Sequence, residues 1–234
     1  GLPVAEPRRD AHHRAYHPGE DRRVGFRRLS AAFRIYRVPF STNVERVALA
    51  AAHKGLEVEW VDVDSDDRSL VVGVSGQRLV PVLECDGEIV LDSPVILRWI
   101  DERFPDPPLW PRAQPARAEA DVFVEWFNLV WKRPPNELAD ELERPNPDPA
   151  LVASLGSRIA SLNDVFEGLL AGRDYLLRDF GIADVVAYPF LRYAVDRDAD
   201  DTELFHQVLR DHVSTEGRPR LAAWIDRMGQ HPQA

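Results

Sequence analysis

The chain has 234 residues, a net charge of −10 and one cysteine. The acidic balance argues against a nucleic-acid surface, a lone Cys85 excludes an internal disulfide framework or a Cys-x-x-Cys redox pair, and no apolar run approaches the roughly 20 residues that span a bilayer. A hydrophobic content of 44% with 29% charged residues is that of a globular chain able to bury one large core or two small ones, with the cytoplasm as the expected compartment. Lys54 and Lys132 are its only lysines, so the positive charge is almost all arginine, a bias of a high-GC genome more than of a function.

Residues 1–31 read as an appended arm. Arginines alternate there with histidines, prolines and acids, and too few apolar residues occur to bury a core. His13 and His17 have the i,i+4 spacing of a metal pair, but scattered histidines in a polar tail are the plainer reading, and no metal site is expected. From Phe33 the pattern sharpens. Phe33–Tyr36 is a short strand ended by Pro39; Val44, Val47, Ala48, Ala51 and Ala52 give helical spacing up to a stop at Gly55; residues 57–63 form an alternating strand.

Leu79-Val80-Pro81-Val82-Leu83 is an apolar run with a proline in the middle. Proline removes a ladder donor, so the strand is expected to open at Pro81, with a turn or a cis bond at Val80-Pro81 that presents the Val80 backbone to a ligand. Asp86-Gly87 is a hairpin signal, residues 88–91 are the return strand, and Ser93-Pro94 reads as an N-cap followed by proline at the first helical position. The order is β-α-β-loop-β-β-α, with a parallel first pair and an antiparallel second pair in one mixed sheet. This fold class is α/β followed by all-α: the proline-rich stretch 104–108 breaks the chain, and helices are expected over about 116–131, 149–172, from 183, near 202–212 and near 219–229. The expected divisions are an arm 1–31, a sheet domain 32–105, a linker 106–115 and a helical domain 116–234.

In this order Val80-Pro81, Asp92-Ser93 opening a helix, the proline-rich linker and Gly181-Ile182-Ala183-Asp184 opening a buried helix resemble the cytosolic glutathione S-transferase superfamily over about residues 33–228, in its serine-type, bacterial form. The resemblance implies a thioredoxin-like domain that binds glutathione, a helical domain that lines a pocket for a small apolar electrophile, and a homodimer. It implies glutathione as co-substrate without a further cofactor, and no nucleic-acid or membrane partner. It carries the cysteinyl backbone of glutathione on Val80 beside cis Pro81 and the γ-glutamyl group on Asp92 and Ser93. The chemistry agrees: a helix N-terminus suits the carboxylate of that group and Asp92 its ammonium.

Such a reaction needs a thiolate, and a hydroxyl donating to sulfur at a helix N-terminus favours that form. The stretch Pro39-Phe40-Ser41-Thr42 resembles that of serine-type transferases and puts the activator at Ser41. Thr42-Asn43-Val44-Glu45 fits a capping box, which would leave the Ser41 hydroxyl free; the alternative makes Ser41 itself the cap. Asn43 is a second candidate donor, and Tyr36 is expected in packing. The loop 64–76, which the resemblance assigns to the glycyl carboxylate, is acidic, with only Arg68 and Arg78 able to serve. Gly181 stands where Ser or Thr usually caps, and Cys85 reads as core. For the electrophile pocket, Phe127 and Trp131 from one aromatic helix and Phe40 opposite are expected to form walls, with Arg133 a further contributor. The acidic run 196–201 reads as a solvated loop. Conjugation of the thiol to an electrophile is the main expectation; thiol-dependent isomerisation, dehalogenation or ether cleavage, or a non-catalytic binding module, are the alternatives.

Overall fold

The computed structural model describes residues 33–196, 198 and 200–232; the arm, with His13 and His17, lies outside the described residues. Four short strands, β1 (Arg34–Arg37), β2 (Glu59–Asp62), β3 (Val82–Cys85) and β4 (Glu88–Leu91), form one sheet in the order β2-β1-β3-β4. β1 runs parallel to β2, with Ile35 opposite Trp60, and antiparallel to β3, with Ile35 opposite Leu83. β3 and β4 are a hairpin closed at Asp86 and Gly87, both at positive φ (50° and 82°), as the mirror-image two-residue turn requires. The mixed sheet is the one expected from the sequence.

The crossover from β1 to β2 is α1 (Thr42–His53), whose Val44, Val47, Ala48 and Ala51 are buried against the sheet and α3 (Ser93–Arg103). α2 (Ser69–Ser75) was not expected, because residues 64–76 read as an acidic loop. The acids are used on their own backbone. The Asp64 carboxylate accepts from the amides of Asp66 and Asp67, and Asp67 accepts from Ser69 at the start of the helix. Local capping of this kind nucleates a short helix that composition hides.

The second half is helical: α4 (Gln114–Trp126), a π-helical turn over Phe127–Trp131, α5 (Arg133–Leu142), α6 (Pro149–Leu169), α7 (Ile182–Leu191), α8 (Leu204–His212) and α9 (Pro219–Gly229). Pro134 and Pro135 do not merely break a helix. They sit in the first turn of α5, where a missing N–H costs nothing. α7 is buried along its length and packs on α1, so the two halves share one continuous core. Its opening explains Gly181: a Cβ there would lie 2.8 Å from the Leu109 carbonyl oxygen, which already accepts from the Ile182 amide. Asp184 completes the start of the helix. Its carboxylate accepts from the amides of Leu176 and Gly181 and from the Trp224 indole, while burial pushes its pKa up to about 6. Among the described residues no helix is long and apolar enough to cross a membrane.

Candidate thiol-binding cleft between the two halves

The Val80-Pro81 bond is cis, and the β1–β3 ladder begins only at Val82. Val80 is therefore left at the edge of a cleft of about 250 Å³, which Phe40, Ser41, Thr42, Arg68, Arg78 and Leu79 also line. Glu203, Phe205 and His206 from the helical half close the opposite side. The sequence brought Ser41, Val80, Phe40 and the two arginines to notice separately; the fold brings them together.

Ser41 is the N-cap of α1, and its Oγ accepts from the Val44 amide at 3.4 Å. The capping box expected from Thr42 does not form. Thr42 is the first helical residue and is buried, and Glu45 pairs instead with Arg192 across the domain junction at 2.5 and 3.0 Å. Capping does not disqualify Ser41 as a thiol partner. A hydroxyl has one donor and two acceptor sites; the cap uses an acceptor, and the O–H remains available to a thiolate. Phe40, at φ 61°, turns the chain into this position and puts its ring on the cleft.

At one end of the cleft Arg68 holds the Ser65 carbonyl at 3.0 Å and Arg78 reaches the Asp66 carbonyl at 3.4 Å. The two cations expected from the sequence therefore both border the cleft. At the other end Asp92 is the N-cap of α3 and Ser93 its first helical residue, so Ser93 is not the cap expected from the sequence. Ser93 is buried, Asp92 is exposed, and neither borders the cleft volume around Ser41. Asp92 sits at φ 69°, a conformation that L side chains rarely adopt and that collects at functional sites. Behind Ser93 lies a polar cluster that sequence reasoning did not assemble. Arg46 of α1 is fully buried and donates to the Val186 carbonyl (2.9 Å), Asn128 Oδ1 (3.0 Å), Asn43 Oδ1 (3.4 Å) and Ser93 Oγ (3.4 Å). Lys132 reaches the same Asn43 oxygen at 3.2 Å.

Other expectations are corrected. Phe127 and Trp131 are core, not cleft walls: their rings stack on each other at 4.6 Å, and Phe166 and Phe190 meet both edge-on. Arg133 is exposed and pairs with Glu137. The acidic run 196–201 is not simply solvated, because Asp201 is buried, with its carboxylate 2.9 Å from His206 Nδ1 and 3.2 Å from Arg210. Tyr36 is buried as expected and donates to Glu84 at 2.7 Å. Cys85 is buried in β3, and burial pushes its thiol up, away from reactivity.

The sequence profile of the glutathione S-transferase N-terminal domain matches residues 35–108, and that of the glutathione S-transferase C-terminal domain matches residues 149–227. The chain is similar to Protein IN2-1 of Zea mays, at 27% identity over 84% of this chain and 76% of that protein. It is similar to glutathione S-transferase 3 of Zea mays, at 31% identity over 66% of this chain and 74% of that protein. Among solved structures, a glutathione S-transferase from Rhodospirillum rubrum F11 superposes with a TM-score of 0.68 at 25% identity, over 85% of this chain and 88% of that one.

Proposed function

Since the chain belongs to the glutathione S-transferase superfamily, we propose that it conjugates glutathione, or a thiol built like it, to a small apolar electrophile, with Ser41 stabilising the thiolate. The observation that carries this reading is the Ser41 hydroxyl at the N-terminus of α1, in one cleft with Val80 beside cis Pro81. The Ser41 O–H donates to sulfur, and the helix N-terminus adds partial positive charge. The thiolate then attacks the electrophilic carbon; a C–S bond forms, and the leaving group departs with its electron pair or, in an addition, the new carbanion takes a proton from water. Val80 pairs with the cysteinyl backbone, Asp92 and Ser93 hold the γ-glutamyl group, and Arg68 or Arg78 takes the glycyl carboxylate. Phe40 and Phe205 give the electrophile an apolar approach, and a homodimer is the assembly this reading carries.

Thiol-dependent dehalogenation, isomerisation or ether cleavage would be favoured by a cysteine at the activator position. Position 41 is serine, and the one cysteine is enclosed in β3. The test is calorimetric titration with glutathione, with the ionisation of the bound thiol followed by thiolate absorbance. Wild type binds; Asp92→Ala binds at least tenfold more weakly, about 1.4 kcal/mol. Ser41→Ala raises the bound thiol pKa by about one unit or more and slows conjugation correspondingly. An unchanged thiol pKa in Ser41→Ala removes Ser41 from the mechanism.

A further inference from the structure

The cluster behind Ser93 is unbalanced in two ways. It contains two buried or half-buried cations, Arg46 and Lys132, whose hydrogen-bonded partners are all neutral: the Asn43 and Asn128 amide oxygens, the Ser93 hydroxyl and the Val186 carbonyl. Its hydrogen bonds are also unevenly shared. Asn43 Oδ1, with two lone pairs, faces three donors: Lys132 Nζ at 3.2 Å, Arg46 Nη1 at 3.4 Å and Ser93 Oγ at 3.4 Å. Meanwhile the buried Arg46 Nη2 has no hydrogen-bond partner, and the Lys132 ammonium, with three donors, makes that one bond and otherwise lies 4.9 Å over the Phe190 ring.

The sequence spends a rare device to make this arrangement. The Phe127–Trp131 turn is π-helical, with the Lys132 amide bonded to the Phe127 carbonyl, and the extra residue swings Asn128 and Lys132 to the Arg46 side. Such turns collect at functional sites. The carboxylate of Asp92, at the exposed start of α3, draws on both cations without a hydrogen bond to either.

We propose that Lys132 of the helical half, backed by Arg46, is the cross-domain seat for the α-carboxylate of the thiol's γ-glutamyl end, held over Ser93 while Asp92 takes the adjacent ammonium. This rests on the thiol-binding reading above. The ammonium of Lys132 and the hydroxyl of Ser93 both lie within hydrogen-bond reach of one Asn43 oxygen, so a single carboxylate spans them, one oxygen to each, at about 2.8 Å. The bridge gives Lys132 the anionic acceptor its neutral partners do not supply, and relieves the crowding at Asn43. It also makes the ligand a tie between the two halves of the molecule.

Binding is then linked to a proton. Burial pulls Lys132 down to about 7, Arg46 beside it pushes the same way and Asp92 opposes. The other groups facing Lys132 are Asn43 on α1 and the Phe190 ring on α7, neither of which titrates. A bound carboxylate restores the charged form, so binding takes up a proton at pH above about 7, and affinity falls as pH rises, by up to about tenfold per unit.

The probe is S-methylglutathione, which has the γ-glutamyl end but no titrating thiol. Calorimetry from pH 6 to 8.5, in two buffers of different ionisation enthalpy, is expected to give wild-type affinity that falls with pH and uptake of roughly 0.7 proton per ligand at pH 7.5. Lys132→Met binds roughly tenfold more weakly at pH 6.5 and shows a flat profile. Lys132→Arg keeps the affinity and also flattens the profile, because its charge does not titrate. A second ligand, 4-aminobutyryl-cysteinylglycine, which lacks only the α-carboxylate, binds wild type and Lys132→Met alike. Wild-type binding that is flat with pH and releases no buffer heat overturns the seat, whatever the variants do, and leaves the thiol site standing. Wild type that binds neither S-methylglutathione nor glutathione at any pH overturns the thiol site itself.

Discussion

The chain's two lysines both lie at the junction of the sheet and helical halves, and they are opposites. Lys54, at the end of α1, is enclosed and fully answered: its ammonium meets Asp101 Oδ1 at 2.6 Å and the Pro107 carbonyl at 2.5 Å. Asp101 in turn accepts from the amides of Leu109 and Trp110, so one ion pair fastens the end of α1, the end of α3 and the linker together. Lys132, some 80 residues on, finds only an amide oxygen and an aromatic face. Burial disfavours the charged form of both. A buried cation neutralised by its own fold is a structural tie; one left with neutral partners is unfinished until an anion arrives. Position at the junction does not separate the two roles, but the charge of the partner does.

The largest effect that could break this contrast is at Asp101. Asp101→Ala leaves Lys54 buried without its anion and two amides unanswered, and is expected to cost about 3–5 kcal/mol in urea denaturation. A cost under about 1 kcal/mol would mean that the Lys54 pair is as incidental as a surface one. Lys132→Met is expected to act in the opposite direction, stabilising the ligand-free protein at pH 7 by about 1–4 kcal/mol. The pH dependence sharpens this. The folded-state value of about 7 lies below the ordinary 10.5. Between them the unfolded chain holds a proton that the folded state has released, so wild-type stability rises with pH across that window. Thermal melts of Lys132→Met should show a smaller rise, the remainder coming from Lys54 and Arg46, which burial also lowers; a rise equal to that of wild type would assign it to groups other than Lys132. The smallest effects belong to the cations at the far end of the cleft. Arg68→Ala and Arg78→Ala should each change stability by less than about 0.5 kcal/mol, because both side chains reach solvent. One of them is nonetheless expected to weaken glutathione binding several-fold, and an unchanged Kd in both would detach the glycyl carboxylate from that end.

Much of this was legible in the sequence where a residue's local chemistry dictates geometry. A proline inside an apolar run and Asp-Gly between two strands each permit few backbone solutions, and the cis bond and the hairpin are those solutions, whereas Ser-Pro marks the start of α3 but not its cap, which is Asp92. What escaped depends on which neighbour a side chain finds. Thr42 and Glu45 have the spacing of a capping box, yet Glu45 is drawn off by Arg192 from 147 positions away. Phe127 and Trp131 are expected at the cleft because their helix is aromatic and follows the linker, but composition does not say which rings find each other, and both stack in the core within a π-helical turn. Lys132 escaped for the same reason: nothing in its flanking residues indicates that Arg46, from the other half, lies beside it. Asp64 and Asp67 read as an acidic loop because composition does not say that a carboxylate will be spent on the next amide.

The conformation of Asp92 has a consequence for anyone who would engineer this molecule. At φ 69° glycine would be at ease, whereas an L side chain stores about 1–3 kcal/mol. A screen that rewards thermal resistance alone would therefore favour Asp92→Gly, and Lys132→Met beside it. Both changes would be scored as improvements. Together they would erase the negative and the positive pole that the proposed recognition of a ligand's amino-acid end requires, leaving a sturdier protein with neither charge to offer.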